Sequence, residues 1–184
     1  KLKNKKLCFP ENLKTRPLKD SVRENIFNIL THSNKINIDI ESSDVLDLYA
    51  GTGSFGLECI SRGSYQSTFV ENNSEALKKL KVNIKDLNLE NKTTICKIDV
   101  LEFFDKPTMG DYREKFNIIF LDPPYQNREF LEIIKLLKKK ILLKKNHVII
   151  IHREVNSKDN LNKYLSIFEK RVYGRSEIFF GKLI

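Results

Sequence analysis

Apolar residues along this chain fall into two patterns. Short continuous runs of Ile, Val, Leu and Phe read as buried strands, and apolar residues three or four apart read as one face of a helix. The two alternate almost throughout, which predicts an α/β fold on a mostly parallel sheet. Residues 1–15 read as an extended basic arm. Val22, Ile26, Ile29 and Leu30 then form a helical stripe, with Ser21 and Glu24 spaced as a capping box. Residues 32–43 are polar and read as a loop with a short turn. Strands are expected over 45–49, 67–71, 94–98, 116–121 and 147–152, with 116–121 apolar enough to be central. Between them lie a helix ending at Gly63, one capped by Asn73 or Ser74, a short one after Ile98, a loop over 105–115, and a helix over 129–143. The helix capped by Asn73 or Ser74 carries Leu77, Leu80, Ile84 and Leu87 on one face. Another helix is expected to start at Ser157. Residues 169–173 and 176–183 flank Gly174-Arg175, a hairpin signal, so the parallel sheet should close on an antiparallel pair.

At 184 residues and 40% hydrophobic, the chain has enough apolar surface for one sizeable core. Residues 1–31 are set apart as a basic arm and helix, a substrate-side extension of the domain formed by 32–184. No apolar run approaches the roughly 20 residues of a membrane helix, and the basic run Lys1 to Lys6 has no apolar signal segment behind it. The first residue is not Met, so a few N-terminal residues are expected to be absent. Cys8, Cys59 and Cys96 form no CxxC pair, and His32, His147 and His152 lack metal-ligand spacing. Free thiols in a reducing cytosol and no metal are the resulting expectations, and a monomer is the default for a chain of this kind. A net charge of +9 is compatible with a nucleic-acid partner. It adds little by itself, because the chain is rich in Lys, Asn and Ile together and lysines such as Lys78, Lys79, Lys81 and Lys85 suit solvated helix faces.

Candidate chemistry begins at Val45-Leu-Asp-Leu-Tyr-Ala-Gly-Thr-Gly-Ser-Phe-Gly56. This is a GxGxxG turn directly after a strand and before a helix. Gly51 and Gly53 let the backbone turn sharply and a ligand approach, and Gly56 lets the helix pack closely on the strand. The helix N-terminus offers amides to a carboxylate. Two ligands compete for such a turn, a dinucleotide and S-adenosyl-L-methionine. Asp47 separates them: it stands inside the strand, where it can accept from an ammonium group that only the second ligand carries. Glu71, ending the second strand, can accept both ribose hydroxyls. Asp99, ending the third, can accept from the adenine amino group or equally serve as a helix cap. Asp47, Ala50, Gly51, Gly53, Glu71 and Asp99 form the candidate cofactor-binding set.

The second motif is Asp122-Pro123-Pro124-Tyr125, following the expected central strand. Two prolines fix a rigid extended turn at the sheet end where open α/β folds bind ligands. An exocyclic amino group of a nucleobase is a poor nucleophile, because its lone pair is delocalised into the ring. The Asp122 carboxylate and the Pro123 carbonyl can hold its two hydrogens and aim the lone pair, and Tyr125 can stack on the base. A sulfonium is already a strong leaving group. Positioning then supplies most of the catalysis, at best roughly 7–11 kcal/mol.

Together these residues resemble the RsmD family, the bacterial small-subunit (16S) ribosomal RNA guanine-N2 methyltransferases. The resemblance runs through Arg16-Pro17, Asp20-Ser-Val-Arg-Glu24, Phe27-Asn28, Leu46-Asp-Leu-Tyr-Ala-Gly-Thr-Gly53, Gly56-Leu-Glu58, Ser61-Arg-Gly63, Glu71, Asp122-Pro-Pro-Tyr125 and Tyr173-Gly174. It implies a Rossmann-like class I methyltransferase fold, with a seven-stranded, mostly parallel sheet, an antiparallel C-terminal hairpin and helices on both faces. It further implies S-adenosyl-L-methionine as cofactor and a guanine of ribosomal RNA as substrate, the RNA naked or in a partly assembled small ribosomal subunit, in the cytoplasm and away from any membrane. RNA contact is implied for Lys6, Arg16 and Arg23. The chain departs from the family at Leu18, commonly Thr, and the family's first strand is shortened to Lys1 to Leu7. It departs from the wider methyltransferase pattern at Tyr49, commonly Gly. The rival readings are an adenine-N6 or other amino-methyltransferase acting on DNA or protein, and a non-catalytic RNA-binding protein that keeps the fold. Glutamine-modifying enzymes usually carry Asn where Asp122 stands, and DNA enzymes usually carry an added recognition domain.

Overall fold

The computed structural model describes residues 18–105, 116–124, 130–139, 142–157 and 159–184. The expected arm, Lys6, Arg16, Tyr125 and most of the 105–115 loop lie outside them. In chain order the elements are α1 (Asp20–His32), β1 (Asp44–Leu48), α2 (Ser54–Ser61), β2 (Gln66–Glu71), α3 (Ser74–Leu87), β3 (Thr93–Lys97), α4 (Val100–Asp105), β4 (Phe116–Leu121), α5 (Phe130–Lys139), β5 (Leu143–Glu154), β6 (Leu165–Tyr173) and β7 (Ser176–Leu183). The strands form one sheet in the order β3-β2-β1-β4-β5-β7-β6. β1 to β5 pair in parallel, and β7 runs antiparallel to both β5 and β6. The order reverses between β1 and β4, and such a switch opens a crevice at the C-terminal strand ends.

Alternate strand residues face opposite layers. Val45, Ile118, Phe120, Val148, Ile150, Ile178 and Phe180 pack with Val22, Ile26, Phe27 and Leu30 of α1 and Phe55 of α2. Leu46, Leu48, Ile119, Leu121, Ile149 and Ile151 pack on the other face with Phe103 and Phe104 of α4 and Phe130, Ile133, Ile134 and Leu137 of α5. The seven-stranded, mostly parallel sheet with an antiparallel C-terminal hairpin and helices on both faces is therefore the observed architecture. Phe27, Phe55 and Phe120 stack in series, with ring centroids 5.3 and 4.1 Å apart, and Arg62 lies 4.6 Å over the Phe27 ring. This stack seats α1 on the same core as the sheet.

Several elements depart from the sequence-based expectation. The capping box does not form: α1 begins at Asp20, Lys19 stands at the N-cap, and no side chain caps it. Ser21 already lies inside the helix, two residues past the N-cap, and Asp20 supplies the favourable acid of the first turn. Phe27, not the half-buried Ile29, completes the buried stripe. α5 ends at Lys139, and Leu143 instead opens β5. Leu142 is drawn into the sheet layer, where its carbonyl accepts the Phe116 amide at 2.8 Å. In place of a helix starting at Ser157 there is a single 3₁₀ turn, Leu161–Lys163. Leu161 and Leu165 are spaced as on a helix, but Leu165 pairs with Leu183 and begins β6 four residues before the expected strand.

Candidate functional site

The crevice is built from the turns that follow β1, β2, β3 and β4. After β1 the backbone enters the left-handed region three times within five residues, at Tyr49 (φ 61°), Gly51 (φ 56°) and Gly53 (φ 81°). Tyr49 is costly there, since a side chain in this region loses roughly 1–2 kcal/mol. At Gly51 no atom of the described residues lies within 4 Å of where a Cβ would stand. At Gly53 a Cβ would lie 2.4 Å from Leu80 Cδ1 of α3. Asn83, also on α3, donates to the Thr52 carbonyl at 3.1 Å and holds the turn from behind. The Ala50 carbonyl accepts the Gly53 amide at 2.8 Å, which closes the turn. The first amides of α2 have no intrahelical acceptors.

Four carboxylates surround this turn. Asp47 is 1% exposed, and its Oδ2 accepts the Gly56 amide at 3.0 Å. Gly56 permits that approach, because a Cβ there would lie 2.5 Å from Phe69 Cε1. Burial raises the Asp47 carboxyl well above its ordinary pKa; the Gly56 amide opposes this, and the negative charges of Asp122 and Glu71 add to it. Asp47 therefore lies buried beneath the turn, tied to the start of α2. Glu71 Oε2 accepts the Gly51 amide at 2.7 Å, and its Oε1 accepts the Asn72 and Asn73 amides at 3.0 and 2.8 Å. Asp99 is the cap of α4, accepting the Leu101 amide on Oδ1 at 2.8 Å, while its Oδ2 accepts from Asn72 Nδ2 at 3.2 Å. The capping role open to Asp99 in the sequence is thus present, together with a link to the β2 turn.

Asp122 lies directly across from this turn. Leu48 pairs with Leu121, and the Asp122 amide approaches the Leu48 carbonyl at 3.4 Å. Its side chain is 22% exposed, and Oδ1 is 2.8 Å from His152 Nδ1. Pro123 is buried and Pro124 exposed. The Pro124 carbonyl accepts from Arg153 Nη1 at 3.3 Å, and Arg153 Nε donates to Asp159 at 2.8 Å. His152, Arg153 and Asn83 were missed by the sequence reading. Asn83 left one signal, a polar residue beside the Leu80–Ile84–Leu87 stripe that is 2% exposed.

Arg23 is not a freely exposed cation. Its Nη2 pairs with Asp20 at 2.9 Å, its side chain is 19% exposed, and its Nη1 is buried with no hydrogen-bond partner among the described residues. Among the described residues no cluster of three His, Cys, Asp or Glu could hold a metal ion, and no helix is long and apolar enough to cross a membrane. On a chain of net charge +9, a crevice lined by carboxylates suits a ligand that is cationic and rich in hydroxyl and amino donors. The sulfonium, ammonium, ribose and adenine groups of S-adenosyl-L-methionine fit that donor set.

Comparison with known proteins bears on the family and the fold. The family described as "Conserved hypothetical protein 95" matches residues 1–182. Ribosomal RNA small subunit methyltransferase D of Buchnera aphidicola (subsp. Acyrthosiphon pisum, strain APS) is 32% identical over 178 residues, covering 97% of this chain and 87% of that protein. The solved structure of the yhhF protein of Escherichia coli superimposes with a TM-score of 0.80 at 27% identity, over 97% of this chain and 92% of that one. SMU.776, solved in complex with SAH, shares the fold at a TM-score of 0.68 and 16% identity, over 89% of this chain and 48% of that one. Motifs, sheet order and matches along nearly the whole length agree, and the chain belongs to the conserved hypothetical protein 95 family, the RsmD family of methyltransferases.

Proposed function

We propose that this chain methylates the exocyclic N2 amino group of a guanine in small-subunit ribosomal RNA, using S-adenosyl-L-methionine. The observation that carries the chemistry is the position of Asp122. A partly exposed carboxylate, tethered at one oxygen, faces a glycine turn that is open at Gly51. The RNA substrate is supported by family membership and by relatives named for ribosomal RNA of the small subunit.

In this reading Glu71 holds the ribose hydroxyls and Asp99 the adenine amino group. The Gly51–Gly53 turn, with Ala50 beside it, lies along the methionine part, and Asp47 keeps the turn and α2 in register. The bound cofactor supplies an electrophilic methyl carbon on a sulfonium. Asp122 Oδ2 and the Pro123 carbonyl accept the two hydrogens of the amino group, and Tyr125 stacks on the base, which is flipped from its stack. The Asp122 carboxylate would also stand where it can take, directly or through water, the proton that the amino nitrogen gives up on methylation. Pro124 keeps the turn rigid. Lys6, Arg16 and Arg23 contact RNA phosphates, with Arg23 exchanging Asp20 for phosphate. A cytoplasmic monomer is the setting proposed for this activity.

The test is transfer of labelled methyl to naked ribosomal RNA, partly assembled small subunits and duplex DNA, with the labelled nucleoside identified after digestion. N2-methylguanosine from RNA is the expected product. N6-methyladenine, or label in DNA alone, would overturn the substrate assignment.

A further inference from the structure

Neighbouring β5 residues touch the Asp122-Pro123-Pro124 turn from both faces of the sheet. Leu121 pairs with Ile151, so the register sets Asp122 beside His152 one step further on. His152 shares its face with Ile150 and Val148, the layer of α1 and α2. Arg153 points to the other layer, where its guanidinium lies 4.3 Å over the Phe130 ring at the start of α5. Both side chains are nearly buried, 7% exposed for His152 and 3% for Arg153.

We propose that His152 is a positioning residue for methyl transfer, one that fixes the rotation of the Asp122 carboxylate so that Oδ2 meets the target amino group. The inference rests on the proposed amino-methyltransferase reading. A carboxylate only accepts hydrogen bonds, so the 2.8 Å contact requires His152 Nδ1 to carry the hydrogen. Oδ1 is thereby taken, and the carboxyl plane is set by an imidazole that has little room to turn. Free rotation about the Asp122 Cβ–Cγ bond would otherwise let the acceptor swing off the amino hydrogen. Because Nδ1 is already protonated, it holds Asp122 rather than taking a proton from it. Arg153 completes the support by fixing the Pro124 carbonyl and tying the turn to Asp159.

The first test compares His152→Leu with His152→Asn, whose amide nitrogen can stand where Nδ1 does. The Leu variant is expected to lose roughly 10- to 100-fold in kcat, with KM for S-adenosyl-L-methionine within about twofold of wild type, and Asn to restore most of the loss. Wild-type kcat in the Leu variant, or equal damage in both, overturns the inference. The second test reads the tautomer directly, by long-range ¹H–¹⁵N NMR of the three histidines. His147 also has Nδ1 toward a carbonyl, that of Lys144, so the His152 signals are assigned from their loss in His152→Asn. Wild type should show His152 protonated at Nδ1, and Asp122→Ala should abolish that preference. An Nε2-protonated His152 in wild type, or a tautomer indifferent to Asp122→Ala, overturns the inference. If wild type methylates no RNA, the proposed function fails while the tautomer measurement still decides the Asp122–His152 link.

Discussion

Asp47 and Gly56 are joined by a hydrogen bond from the α2 amide to a carboxylate that is almost fully buried. The bond ties the strand that enters the turn to the helix that leaves it. It also places an acid where ionisation is disfavoured, with burial as the main cause.

An acid with a raised folded pKa binds its proton more tightly in the fold than in the unfolded chain. The stability it contributes is full below the ordinary value of 3.8 and is lost as pH rises through the raised value. Asp47→Asn removes this titration while keeping an oxygen for the Gly56 amide. Thermal melts of ligand-free protein should show the variant gaining on wild type at neutral pH. The gap should close as pH falls toward about 4, and a gap that widens on acidification contradicts the assignment.

Asp122→Ala should cut methyl transfer by about 10²-fold or more and leave S-adenosylhomocysteine affinity nearly unchanged by titration calorimetry. The side chain faces the acceptor base in the proposed reading, whereas its backbone amide, which the substitution preserves, abuts the Leu48 carbonyl. Loss of affinity as large as that from Asp47→Ala would count against this role.

Glu71→Gln should weaken S-adenosylhomocysteine binding by about tenfold, roughly 1.4 kcal/mol. Its carboxylate holds the Gly51, Asn72 and Asn73 amides together, and an amide group can accept on only one end. Unchanged affinity in calorimetry would remove Glu71 from the cofactor site.

Gly53→Ala should destabilise the fold by about 2–5 kcal/mol, read from urea denaturation. The left-handed backbone contributes roughly 1–2 kcal/mol. Overpacking against Leu80 Cδ1 adds roughly 1–3 kcal/mol. A loss below about 1 kcal/mol would mean that α3 yields easily to the new methyl group.

What the sequence disclosed is what local rules determine. The 116–121 strand is legible because it is short, apolar and bounded in sequence by a polar stretch before it and two prolines after it. The turn at 51–56 was legible because glycine spacing and strand context occur together. Asp99 stayed ambiguous, since a capping acid and a ligand-binding acid have the same local signature. His152 was read only as a scattered histidine, because its partner stands 30 residues away and meets it through strand register. The segment from Ser157 departs from the helix its sequence suggests for the same reason: helical spacing is local, and the β6–β7 ladder that overrides it is not.

The acid-lined crevice has a consequence for how a nucleic acid would enter. Glu71, Asp99 and Asp122 gather carboxylates at the strand ends of a chain whose excess charge is positive. In the proposed function a phosphodiester would be repelled from these carboxylates, whereas a neutral base would not. Such a field would sort a nucleotide by its parts, keeping the backbone at the rim and admitting the base, before any contact reads which base it is.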